Sequence, residues 1–122
     1  MTTSEIGKTY VELVSAGRRE ECLNTLFSPE AESAEAVPPP GRERVVKGLD
    51  ALRAKSKFFF DNNEVHKSEV LGPYPHQDRF AVRFVFEVTF KPTGQRRTMD
   101  EVGLFTVVDG KIAKEEFFYP AG

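Results

Sequence analysis

A glutamate in the last third of this 122-residue chain stands where a carboxyl group is hard to keep charged. Glu101 lies in the run MDEVGLF and, at strand periodicity, shares its parity with Met99, Gly103, Phe105 and Val107. A carboxylate projecting from so apolar a face loses water, and lost hydration raises its pKa toward the range useful for general acid and base catalysis. Asp100 takes the opposite parity with Val102 and Leu104. Both faces of this segment are largely apolar, so a one-residue slip would exchange the two acids. Glu115 follows the parity of Ala113, Phe117 and Tyr119 and is a third inward candidate. The alternative for each acid is a strand end or an outer face in water.

The other reactive side chains carry less. His66 shares a strand pattern with Glu64 and Ser68, and His76 falls in the turn-like PYPHQD; both read as surface residues. With no HExxH and no cysteine pair, they make no metal site. Cys22, the single cysteine, sits beside Leu23 and four residues before Leu26 on a helical pattern, which suits core packing and rules out an internal disulfide. Arg42, Arg44, Lys47, Arg53, Lys55 and Lys57 form the densest basic cluster and read as a solvated face. A net charge of −2 with interspersed signs argues against nucleic acid or an anionic membrane as partner. No apolar run of spanning length and no leader is present, which predicts a cytoplasmic protein.

The elements that must position these acids follow from periodicity. Arg79 to Lys91 is apolar at every second residue, Phe80, Val82, Phe84, Phe86, Val88 and Phe90, with the mixed set Ala81, Arg83, Val85, Glu87 and Thr89 between them. This is a strand with one face to be covered. Val65 to Leu71 precedes it across a Gly72-Pro73-Tyr74-Pro75 turn, and Arg97 to Val108 follows across Pro92-Thr93-Gly94. Asp109-Gly110 is a type I′ hairpin signal leading into Lys111 to Tyr119. Upstream, Thr2 and Glu5 mark a capping box for a helix with Ile6, Tyr10, Leu13 and Val14 on one face, ended by Gly17. A second helix is expected from about Arg18 to Phe27, closed by Ser28-Pro29 and packed as a hairpin on the first. Ala31 to Val37 suits a short strand, and Pro38, Pro39, Pro40 and Gly41 an extended loop. A third helix spans Leu49 to Asn62, with Phe58-Phe59-Phe60 as a core-facing end. The result is an α+β domain over residues 1–122: three N-terminal helices packed on a curved, mainly antiparallel sheet.

On the runs TYVELVSAGRREECLNTLFSPEA (Thr9 to Ala31), GLDAL (Gly48 to Leu52) and DGKIAKEEFFY (Asp109 to Tyr119), the chain resembles the SnoaL-like and ketosteroid-isomerase-like members of the nuclear-transport-factor-type superfamily. The resemblance covers nearly the whole chain. It implies a cone with an internal cavity for a small molecule, in a superfamily that hosts isomerases, cyclases, dehydratases, epoxide hydrolases and proteins without chemistry. By the same resemblance Tyr10 matches an oxyanion-hole tyrosine. Glu35 falls at the general base, allowing one extra residue within Gly17 to Phe27, and Glu101 falls at a protonated carboxylic acid that donates to the oxyanion. The chain departs from the isomerase pattern in having Glu in place of Asp at both positions and Phe27 in place of a supporting tyrosine. Each change moves or removes a group that oxyanion geometry depends on.

Two functions follow as expectations. One is cofactor-free proton transfer on a small apolar carbonyl compound, with Glu35 as base and Tyr10 and neutral Glu101 as donors, in a pocket lined by Phe58, Phe80, Phe84, Met99, Phe105, Glu115 and Tyr119. The other is a ligand-binding or dimerisation module without chemistry. Acids and Tyr10 sharing one cavity would favour the first; a cavity filled by Phe58, Phe80, Phe84 and Phe105 would favour the second. A homodimer through the outer sheet face is expected from the alternation of Ala81, Val85 and Thr89 with Arg83 and Glu87, and from the resemblance.

Overall fold

The computed structural model describes residues 1–120. The first helix, α1 (Thr3–Ser15), begins with the reciprocal cap that its sequence predicts: the Glu5 amide donates to Thr2 Oγ1 at 3.1 Å and the Thr2 amide to Glu5 Oε1 at 2.8 Å. Ile6, Tyr10 and Leu13 point inward at helical spacing. Gly17, at φ 74°, turns the chain in the left-handed conformation that glycine adopts without strain, and α2 (Arg19–Leu26) follows.

Phe27 does not extend α2. It opens strand β1 (Phe27–Ala34), which runs through Ser28-Pro29. Phe27 is extended (φ −94°, ψ 146°), and the proline holds the residue before it out of the helical region. The missing amide of Pro29 costs no ladder bond because pairing to the neighbouring strand is interrupted between Phe27 and Glu32. Strand β2 (Val45–Lys47), too short to show alternation in the sequence, pairs antiparallel with β1.

After α3 (Leu49–Asn62) the chain forms an antiparallel meander of β3 (Asn63–His76), β4 (Arg79–Phe90), β5 (Gln95–Val108) and β6 (Lys111–Phe118). Gly72 to Pro75 is not the turn. It is an irregularity inside β3, between Leu71 and Tyr74, and the reversal comes later at Gln77, whose φ is 55°. Asp109 and Gly110 both take positive φ, 51° and 76°, as the hairpin signal requires.

The open six-stranded sheet has the order β2-β1-β6-β5-β4-β3, with β1 parallel to β6 and every other pair antiparallel. Helices cover one face, and Ile6, Tyr10, Leu23, Leu52, Phe80, Val82, Phe105 and Ile112 form the centre of the core there. Phe80 and Phe105 stack at 4.8 Å, and the Tyr10 ring lies 4.5 Å from Phe105. A Cβ added to Gly103 would stand 2.8 Å from Phe105, so the base of the cone is closed by aromatic rings. Phe58 and Phe60 are 43% and 53% exposed and are not part of this core. Consecutive helical residues point about 100° apart, and only Phe59 of the three follows Leu52 on the inward stripe. Among the described residues no helix is long and apolar enough to cross a membrane.

Candidate functional site

The register of the sheet decides which polar groups meet. Ser33 on β1 pairs with Glu115 on β6, and Glu115 pairs with Phe105 on β5. From this row the inward-facing residues advance two at a time: Ser33 on β1 to Glu35 just beyond its end, Glu115 to Phe117 on β6 and then Tyr119 just beyond it, and Phe105 to Gly103 and Glu101 along the antiparallel β5. All three strands therefore bring a polar side chain to the same end of the sheet. Lys55 reaches it from α3.

At that end Lys55 Nζ lies 2.6 Å from Glu35 Oε2, and the Tyr119 hydroxyl donates to Glu35 Oε1 at 3.0 Å. Lys55 also donates to Ser33 Oγ at 2.6 Å, and Ser33 in turn donates to Glu115 Oε2 at 2.7 Å. Glu115 is 1% exposed and receives both oxygens' worth of contact from Arg19 Nη2, at 3.2 and 3.3 Å. Arg19 completes its fork on Ser56 Oγ at 3.2 Å and Tyr10 Oη at 3.4 Å. One hydrogen-bonded chain thus runs from Tyr10 in the core through Arg19, Glu115, Ser33 and Lys55 to Glu35 and Tyr119 at the rim.

Glu101 stands apart from that chain. Among the described residues its carboxyl makes no hydrogen bond or ion pair, while burial, and then the charge of Glu35, push its pKa up to about 7; Lys55 and Arg97 oppose the rise. Tyr119 is pushed up to about 12, by burial first and Glu35 second, and stays a neutral donor. Tyr10 is raised further by its complete burial, against the pull of Arg19. For Arg19 burial alone would lower the pKa, but Glu115 outweighs it and holds the guanidinium charged. Cys22 is buried and raised to about 12 by loss of water, as suits a packing residue.

The structure brings Glu35, Glu101 and Tyr119 together and places Tyr10 elsewhere, on Arg19. Phe80, Phe84 and Phe105 pack against Tyr10 and each other in the core, Phe84 also pairs with Glu101 across β4 and β5, and Met99 lies two residues further along that face. Phe58 lies outside this group, with the Arg42 guanidinium 4.1 Å above its ring. His66 is exposed and bonded to Thr89 at 2.7 Å, and His76 ends β3 in water. No group of three or more His, Cys, Asp and Glu among the described residues is arranged to hold a metal.

The sequence matches the family described as the SnoaL-like domain over residues 1–119. The chain belongs to the SnoaL-like family. A solved SnoaL-like protein of Mesorhizobium loti, provisionally called a polyketide cyclase, is 45% identical, with 98% of this chain and 100% of that one covered at a TM-score of 0.91. An NTF2-like protein of Burkholderia thailandensis shares the fold at TM-score 0.83 and 15% identity over 97% and 90% of the two chains. A protein of Xanthomonas campestris with a cystatin-like fold does so at 0.76 and 17%, over 97% and 90%. No curated protein matches the sequence.

Two members of this SnoaL-like network, Arg19 and Ser33, were not singled out from sequence, and a third, Lys55, is read there as part of a solvated basic face but instead binds Glu35 and Ser33. Each nevertheless carried a signal. Arg19 precedes Cys22 and Leu23 by three and four residues, and Lys55 lies between Leu52 and Phe59 at the same spacings, so both cations stand on buried helical stripes. Ser33 has the parity of Ala31 and Glu35.

Proposed function

We propose that the rim of the cone performs cofactor-free proton transfer at a carbon next to a carbonyl group, with Glu101 as the group that carries the proton. The observation that supports it is the pairing of two unlike carboxyls: Glu35 fixed between Lys55 and Tyr119, and Glu101 half-buried beside it with no partner among the described residues. A carboxyl with a pKa near the working pH both takes and returns a proton efficiently. Glu35, the base expected from the resemblance, is committed to its two partners, so the shuttling role passes to Glu101 and Glu35 serves to raise its proton affinity. As Glu101 removes the proton, the Lys55 ammonium, which keeps a third N–H beyond those on Glu35 and Ser33, is the donor for the developing enolate oxygen. Return of the proton at a second carbon isomerises the compound, whereas attack of the carbanion on a second carbonyl within the same molecule closes a ring.

The test needs no knowledge of the natural substrate. In D2O, NMR of 2-tetralone reads exchange of its activated protons. Protein-dependent exchange that rises through an apparent pKa of about 7 and disappears in Glu101→Gln is the expected result. Absence of any acceleration, or equal acceleration by the variant, overturns it. The aromatic filling of the cone base favours a second reading, a binding module without chemistry, which that outcome would leave standing.

A further inference from the structure

Within the segment between β1 and β2, residues 39–44 border, together with α3, a half-open recess of about 310 Å³ whose walls include Arg42, Arg44, Val46, Ala54, Lys55 and Phe58. We infer that this recess binds a small aromatic carboxylate, holding its ring on the apolar wall and its anionic group on Arg42 and Arg44.

Three observations carry this. The size lies at the lower end of ligand pockets and fits a molecule of about one or two rings. Its apolar lining includes Val46, Ala51, Ala54 and Phe58, the last a half-exposed phenylalanine of α3. Its charge is unbalanced: among the described residues Arg42 makes no ion pair, and Arg44 spends one nitrogen on the Glu35 carbonyl oxygen at 3.3 Å and makes no ion pair either. Glu43 is the one acid on the wall. The Arg42 guanidinium is already oriented, stacked on Phe58 at 4.1 Å with no hydrogen bond from its N–H groups among the described residues, and a stacked guanidinium presents the planar fork that suits a carboxylate. The basic cluster of the sequence thus divides. Arg53 and Lys57 are spent on Glu20, Asp50 and Asp61, whereas Arg42 and Arg44 face the recess.

Lys55 belongs to both places. It lines the recess and holds Glu35 at 2.6 Å, so a ligand bound there lies one side chain away from the proposed proton-transfer pair. That the bound acid is also the substrate rests on the proton-transfer reading; binding itself does not.

The probes are 1-naphthoate and benzoate, each compared with its uncharged methyl ester by NMR titration of the labelled full chain. At least one acid should bind saturably, shift the amides of residues 42–46 and 51–58, and bind tenfold or more tighter than its ester. Arg42→Gln with Arg44→Gln should remove that preference while thermal unfolding is unchanged, both side chains being exposed. Glu101→Gln should bind the acid as the parent does, which separates failure of the chemistry from failure of the recess. Equal binding of acid and ester, shifts confined to other residues, a preference that survives the double substitution, or no saturable binding by either acid overturns the inference.

Discussion

Lys55 and Glu35 meet at 2.6 Å across the gap between α3 and the end of β1, and through Glu35 the lysine also faces Glu101. The charges on Glu101 therefore act in opposite directions, and the two can be separated. Replacing Glu35 by Gln removes the like charge and should lower the Glu101 pKa from about 7, whereas Lys55→Met removes the opposing cation and should raise it. Shifts of about one unit are expected, read from the carboxyl carbon of Glu101 by NMR titration. An unchanged value in both variants would mean that burial alone sets it.

Stability should carry the same signature. The Glu101 carboxyl titrates near 4.5 when unfolded and about 7 when folded, so between those values the folded chain holds a proton that the unfolded chain has lost. Its contribution to stability consequently falls as pH rises through this window, and the full cost of burying the charge stands above it. Glu101→Gln, which cannot ionise, should be more stable than the parent by about 1–3 kcal/mol at pH 8 and should lose that advantage by pH 4. Urea unfolding at the two pH values gives the comparison; an equal difference at both would place the effect in packing.

The acid on β5 illustrates how far the sequence reaches. Parity narrowed the choice to Glu101 or Asp100 but could not make it, because Val102 and Leu104 are as apolar as Gly103 and Phe105. What decides it lies on another strand: Arg83 on β4 is opposite Val102 and binds Asp100 at 3.0 and 2.7 Å, which holds Asp100 on the outer face and turns Glu101 inward. The meander and the helical stripes were legible because each repeats its period several times. Strand β2, with three residues, repeats nothing. Lys55 and Arg19 were illegible for another reason: a long cationic side chain on a helix is ordinarily solvated, and only its partners in distant strands show that it is not.

Arg19 and Glu115 provide a test of that buried network. Glu115 is 1% exposed, and removal of one partner strands the other charge away from water. Glu115→Leu should destabilise the fold by about 3–5 kcal/mol, and Arg19→Met by a similar amount. The double variant Arg19→Met, Glu115→Leu should cost less than the sum of the single changes, since neither charge then remains unpaired. Additive losses in a urea double-mutant cycle would show that the pair is not coupled.

The outer face of the sheet is our proposed homodimer interface, and the register gives it a specific centre. Leu71 pairs with Arg83, Arg83 with Val102, and Val102 with Phe118, so one row crosses β3, β4, β5 and β6 on the face that no helix covers. Leu71, Val102 and Phe118 are 37%, 39% and 50% exposed, and Tyr74 lies close by on β3 at 62%. A row of apolar side chains around an ordered Arg83–Asp100 pair is the pattern of an interface core with a polar clasp, and such a patch is costly to leave in water. Because a two-fold contact uses the same patch on both copies, one substitution acts twice. Phe118→Asp combined with Val102→Asp should therefore convert a dimer to a folded monomer, followed by light scattering at micromolar concentration with circular dichroism as the check on folding. The parent chain behaving as a strict monomer under those conditions would sink the interface, and a double variant that stays dimeric would move it to another surface.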